Sequence, residues 1–305
     1  MPHIPALFEE VMIALQPRAG GRYLDATLGG AGHAEGVLQR CGPTGRLLGT
    51  DADVNAIAVG QVKLAPYGER AVLRQAWLDE TPSLAQQLGF APLEGVLIDL
   101  GLSSNQLDNS ERGFSFMREG PLDMRFDQTR GQSAAQLIEH SDVEGLGMIL
   151  REYGEVSNAR QVAEAIWSAR PLRTTVALRD AVAKIARPGR HTRIHPATQV
   201  FQALRIAVNN ELRRVADTLP RLIELLAPGG RIAVITFHSL EDRIVKNIFR
   251  DEAKDITPVP GFGADQEVRV ARVQLINKDP ITATAAEITA NPRARSAKLR
   301  VVERL

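Results

Sequence analysis

Apolar residues in this chain fall first at helical spacing, over residues 6–15, and then in short runs that recur with turn residues between them. Runs near 22–27, 46–51, 71–74 and 95–99 read as strands separated by helical or mixed segments, which predicts a parallel sheet with helices on its faces. The alternation stops near residue 105. From there to about 198 the segments Ala134 to Ile138, Val143 to Glu152, Ala159 to Ala169 and Thr175 to Ile185 carry helical patterns with no strand among them. A helical domain over 106–198, inserted into a sheet domain made of 1–105 and 199–305, accounts for the break. Gln199 to Val215 then reads as one long helix. Pro228-Gly229-Gly230 turns the chain into a fifth strand over Arg231 to Thr236, and Val268 to Ile276 with Lys298 to Val302 predict a closing antiparallel pair. The fold class is α/β, a Rossmann-like sheet with a helical insertion.

The first strand runs through Tyr23-Leu24-Asp25 into Leu28-Gly29-Gly30-Ala31-Gly32-His33, and the second ends on Asp51. A strand entering a glycine turn before a helix lets backbone approach a ligand closely, and an acid at the tip of the second strand suits two ribose hydroxyls. The dinucleotide fingerprint G-x-G-x-x-G has Glu35 where its third glycine belongs. A carboxylate there opposes phosphates at a helix N-terminus, so an acidic crevice with Asp25, Glu35 and Asp51 favours the sulfonium of S-adenosylmethionine over NAD. Gly95 to Asp99 supplies a third strand ending in an acid, followed by Leu100-Gly101-Leu102-Ser103-Ser104. Ligands of open parallel sheets sit beyond the carboxyl ends of strands, so Asp25, Asp51 and Asp99 line one crevice.

The chain has 305 residues, 44% hydrophobic and 24% charged, enough for a full core and two domains. No apolar run reaches the about 18 residues of a membrane span, and Met1 to Glu10 lacks a basic region followed by an apolar one, so a cytoplasmic location is expected. The single cysteine, Cys41, offers no disulfide or metal cluster. It sits in a helix-to-strand connection, which disfavours methylation of a cytosine ring carbon by a cysteine nucleophile. A net charge of +1 leaves nucleic-acid binding to local patches. One comprises Lys184, Arg187, Arg190, His191, Arg193 and His195; the other comprises Arg293, Arg295, Lys298, Arg300 and Arg304. Either patch is equally readable as a solvated face.

Other motifs have plainer readings. Phe237-His238-Ser239-Leu240-Glu241-Asp242-Arg243 contains Ser, His and Asp, but neighbours in one loop do not converge as a triad, and no G-x-S-x-G elbow precedes them. Ser239 with Asp242 reads as a helix cap. His191 and His195 have zinc-pair spacing without an acid between them, and Pro196 follows, so no metal site is expected. Arg112 to Phe116 and Leu122 to Asp127 interleave aromatics and arginines, as a base-stacking surface or as packing between domains. Trp77 reads as an adenine contact or as core.

Taken together, Asp25 to His33, Asp51-Ala52-Asp53, Asp99 to Asp108, Glu111 to Phe116, Pro121 to Arg125, His195 to Thr198, Phe201 to Arg205, Val208 to Leu212, Phe237 to Lys246 and Asn291 to Arg300, with His3-Ile4-Pro5 ahead of them, resemble one family over essentially the whole chain. It is the ribosomal RNA small subunit methyltransferase H family, whose members methylate the exocyclic N4 of a decoding-site cytidine in 16S rRNA. The resemblance implies a class I S-adenosylmethionine-dependent methyltransferase fold, S-adenosylmethionine as cofactor and 16S rRNA as partner, within the small ribosomal subunit. It leaves a homodimer open. Its cofactor positions fall on Ala31, Gly32, His33, Asp51, Trp77, Asp99 and Gln106; alanine at 31 and tryptophan at 77 depart from the family's usual glycine and phenylalanine. Asp99 is the candidate acceptor for the target amine, with Ser103 or Ser104, unless it holds the cofactor instead. The alternatives are a non-catalytic ribosome-assembly factor and an NAD-dependent dehydrogenase.

Overall fold

The computed structural model describes residues 5–185, 195–256 and 269–305. The early elements are α1 (Phe8–Leu15), β1 (Arg22–Asp25), α2 (Gly32–Arg40), β2 (Arg46–Asp51), α3 (Val54–Leu64), β3 (Ala71–Gln75), α4 (Thr81–Gln87) and β4 (Leu93–Asp99). Six helices follow: α5 (Ser104–Asp108), α6 (Ala134–His140), α7 (Val143–Gly154), α8 (Ala159–Ser168), α9 (Thr175–Ala183) and α10 (Pro196–Asn209). The chain continues through α11 (Glu211–Glu224), β5 (Leu226–Thr236), α12 (Ser239–Glu252), β6 (Val273–Leu275), β7 (Ile281–Thr282), α13 (Ala285–Ala290) and β8 (Lys298–Arg304).

These elements form two compact units, one of residues 1–101 with 212–305 and one of residues 102–211. In the first, the strand order is β3-β2-β1-β4-β5-β8-β6, with β7 also on β8. Strands β1 to β5 pair in parallel, while β8 runs antiparallel between β5 and β6. The central residues of the parallel strands are apolar because helices cover both faces. Leu47, Leu97, Ala233 and Ile235 pack with α1 and α2 on one face, and Leu48, Val96, Ile98, Ile232 and Val234 pack with Leu219, Leu222 and Phe249 on the other. Chain order reverses between the neighbours β1 and β4, so the connections leaving their carboxyl ends diverge and open a crevice there. Asp25 and Asp99 close those two strands, and Asp51 closes β2 beside them.

The insertion is wider than the expected 106–198. Val200, Phe201, Ala203 and Leu204 of α10 are buried in the core of the helical unit, with Leu150, Ile166 and Leu178. The apolar stripe of this helix therefore belongs to the insertion and not to the sheet. Nor does one helix run from Gln199 to Val215: Asn210 adopts the left-handed conformation and separates α10 from α11, a role asparagine fills at low cost. The ambiguous arginine–aromatic stretch is packing. Phe114 is buried in the same core, and Arg112 is buried with its guanidinium donating to the carbonyls of Arg125 and Phe126. Most of the basic segment around Pro188 lies outside the described residues. The carboxyl-terminal patch is partly internal: Arg300 is buried, donating twice to Asp242, which also meets Lys298. Burial would raise Asp242, but those cations outweigh it and hold its carboxyl below the usual range.

Candidate active site

Gly29 and Ala31 both take positive φ in the turn between β1 and α2, within which the Ala31 N–H donates to the Leu28 carbonyl at 2.7 Å. The Asp51 carboxylate braces this turn, one oxygen accepting from Gly29 N at 2.9 Å and the other from Asp53 N at 2.9 Å. Ala31 sits at φ 56° and ψ 24°, where its Cβ is strained. Replacing it with glycine relieves that strain against a larger unfolded-state entropy, so Ala31→Gly is expected to stabilise the chain by about 1 kcal/mol, read from its thermal midpoint. Gly32 allows no side chain, since a Cβ there would collide with Pro5.

Two of the strand-end acids hold protons unusually tightly. Asp25 is 2% exposed, and burial pushes its carboxyl up to about 7 against one Thr27 N–H bond that favours the anion, with Asp51 adding repulsion. Asp99 is raised well above the ordinary range by burial, then by Asp25 and by Glu241. Among the described residues its Oδ1 is buried without a hydrogen-bond partner, while its Oδ2 lies 3.8 Å from Nδ1 of His33. The Asp99 backbone is fixed by its N–H donating to Thr27 Oγ1 at 2.6 Å. A cationic group at this cluster favours the ionised carboxylates and is stabilised by them, whereas an anionic phosphate favours their neutral, protonated forms and gains no attraction. The residues therefore suit a positively charged cofactor group.

Glu35, expected within the acidic crevice, is paired with Lys63 on α3 at 3.2 Å. Trp77, two residues past β3, is only 8% exposed, with the Arg214 guanidinium 4.1 Å from its ring centroid and paired with Asp79. Arg214→Ala is expected to cost about 1 kcal/mol and to shift Trp77 emission to the red, measured in a Trp167→Phe background because the chain has two tryptophans.

At the end of β5, the cap of α12 is one residue earlier than expected: His238, not Ser239, accepts at Nδ1 from Glu241 N. The Glu241 carboxylate, 1% exposed, accepts from the N–H groups of Phe237 and His238. Asp242, the other half of the expected cap, is committed to Arg300. Glu241 was not singled out in the sequence, and the S-x-x-D spacing masked it. Thr27 likewise had no sequence signal beyond its place in the turn.

Ser103, Ser104 and Gln106 lie in the helical unit. There Ser103 Oγ accepts from Gln106 N and Ser103 N donates to Gln106 Oε1, a reciprocal cap at the start of α5.

The pattern of one family matches residues 1–305, and that family is described as the MraW methylase family. The chain belongs to the MraW methylase family. As such it is an S-adenosylmethionine-dependent methyltransferase, in agreement with the strand order and the acidic crevice. Over 310 residues it is 47% identical to the ribosomal RNA small subunit methyltransferase H of Magnetococcus marinus, covering 99% of this chain and 98% of that one. The protein of the same name from Thermomicrobium roseum is 45% identical, at 99% and 94% coverage. Among solved structures, a putative rRNA-methylase from Clostridium thermocellum has a TM-score of 0.46 and 14% identity, covering 100% of both chains. At that score the likeness adds nothing to the strand order. No described helix is long and apolar enough to cross a membrane.

Proposed function

We propose that this MraW-family methyltransferase methylates the exocyclic N4 of a decoding-site cytidine in 16S rRNA, with the assembled small ribosomal subunit as substrate and the cytoplasm as its place of action. The observation that carries the chemistry is Asp99: a buried carboxylate oxygen without a partner, at the strand end beside the crevice and flanked by Asp25 and Glu241. Ala31, Gly32 and His33 offer the turn backbone to the cofactor, Asp51 the ribose acceptor, and Trp77 and Asp99 complete its contacts. For Gln106 the support is sequence resemblance alone, and for Ser103 and Ser104 it is their place in the chain just after Asp99.

The cofactor supplies an electrophilic methyl carbon on a cationic sulfur. The amine of cytosine is a weak nucleophile because its lone pair is delocalised into the ring. Asp99, accepting from an amine N–H, favours the pyramidal nitrogen that attack needs and holds it in line. The base must leave its stack to reach such a site. Cys41 has no part, being buried with its thiol pushed up by burial.

Purified chain, small subunits and labelled S-adenosylmethionine provide the test. Label in a 16S fragment, located by mass spectrometry on the cytosine amino nitrogen, is the expected result. Binding to subunits without transfer would leave a non-catalytic assembly role, and thermal stabilisation by NAD but not by S-adenosylhomocysteine would overturn the cofactor.

A further inference from the structure

Phe237 follows directly on β5 and stands beside the exit of β4. Asp99 pairs with Ile235, and the pairing continues as Leu100 N donates to the Ile235 carbonyl at 3.0 Å. Phe237 is two residues past the partner of Asp99, about 7 Å further along the neighbouring strand. Side chains two apart along a strand share a face. Leu97 and Ile235 pack with α1 and α2, which puts Asp99 and Phe237 on that same side, and the Phe237 ring packs against the same apolar cluster. It is only half-buried there, so part of the ring remains accessible.

The surroundings hold this ring in place. The Phe237 backbone N–H donates to the buried Glu241 carboxylate at 2.9 Å. Gly101, two residues past Asp99, has a φ of 103°, and a Cβ there would stand 3.4 Å from Phe237 Cδ2, so the ring lies against the chain leaving β4. A base drawn out of its stack needs a second π surface for one face and a hydrogen-bond partner for its edge.

Resting on the reading above, we propose that Phe237 is the platform on which the target cytosine stacks, with the amine edge of the base turned toward Asp99. Stacking accepts any base, so the ring supplies hold and orientation, while the preference for an amine falls to the acceptor. A base with one face on Phe237 offers the methyl carbon its other face, from which the lone pair of a pyramidal nitrogen projects.

The test compares the full chain with Phe237→Leu, which keeps an apolar side chain without a ring, and with Phe237→Tyr, which keeps the ring. Phe237→Leu is expected to lower kcat/KM for small subunits by about tenfold to a hundredfold, the range that stacking on one aromatic side chain supplies, with affinity for S-adenosylhomocysteine unchanged. Phe237→Tyr should recover the rate to within about threefold of wild type, a rescue that a loss of mere packing does not give. Equal rates for Phe237→Leu and wild type, a loss that tracks cofactor affinity, or no recovery by tyrosine overturns the platform. Should the leucine variant not fold, small subunits reconstituted with 5-iodocytidine at the target position are irradiated with the wild-type chain. Mass spectrometry is then expected to find the crosslink on Phe237, and a crosslink confined to other residues, or none, overturns the proposal. Absence of methyl transfer by the wild type refutes the function reading, while the crosslink still decides whether the base stacks on Phe237.

Discussion

Asp99→Asn is expected to lower methyl transfer by about a hundredfold to ten-thousandfold while the chain stays folded and still binds S-adenosylhomocysteine. Asparagine keeps the shape of the side chain and can keep a hydrogen bond to the cofactor, but its amide group turns one acceptor oxygen into a donor and holds no negative charge. The backbone of residue 99 is tied independently, through its N–H to Thr27 and through pairing with Ile235, so the strand end survives the change. Pre-steady-state transfer at saturating cofactor, with binding measured separately by calorimetry, checks it. A rate within threefold of wild type would show that Asp99 only holds the cofactor, as the resemblance alone allows, and that the amine acceptor lies elsewhere.

Asp25→Asn is expected to make the free chain more stable above neutral pH. The folded-state pKa of Asp25 is raised to about 7 from an ordinary value near 4, so the folded chain binds this proton more tightly than the unfolded one. The stability it contributes is fully present below the unfolded value and is lost as pH rises through about 7. At pH 8 the wild type carries an ionised, buried carboxylate that costs at most about 4 kcal/mol, a cost the neutral amide does not bear. Denaturant unfolding at pH 4 and pH 8 should show a steep loss for the wild type and a flatter response for the variant. The reason for keeping so costly a group is its charge: S-adenosylmethionine should stabilise the wild type more than S-adenosylhomocysteine does at pH 8, and Asp25→Asn should narrow that difference. Equal pH responses in the two chains would mean that Asp25 is already neutralised in the fold.

The organisation of the sheet was legible in the sequence because it depends on local signals. Short apolar runs closed by Asp25, Asp51 and Asp99, with a glycine turn after the first, place the acids at one edge once strands pair in parallel, and the antiparallel β6–β8 pair followed from the same alternation. Where the local signal was degenerate, sequence reading went astray. Helical periodicity continues through Asn210 because a single left-handed residue leaves the pattern of apolar spacing almost intact. Two overlapping capping patterns occur in His238-Ser239-Leu240-Glu241-Asp242, and only the commitment of Asp242 to Arg300, 58 residues away, selects the earlier one.

The sequence by itself determined the family, the α/β class, the strands that carry the acids and the charge of the group they suit, because those follow from residue type and period. Tertiary structure alone decided which acids hold protons and which are neutralised, since both outcomes depend on burial and on partners distant in the chain. Glu35 and Arg300 look available in the sequence and are paired in space. Glu241 looks incidental and stands against Asp99, because desolvation and Coulomb interaction act over distances that chain order does not record.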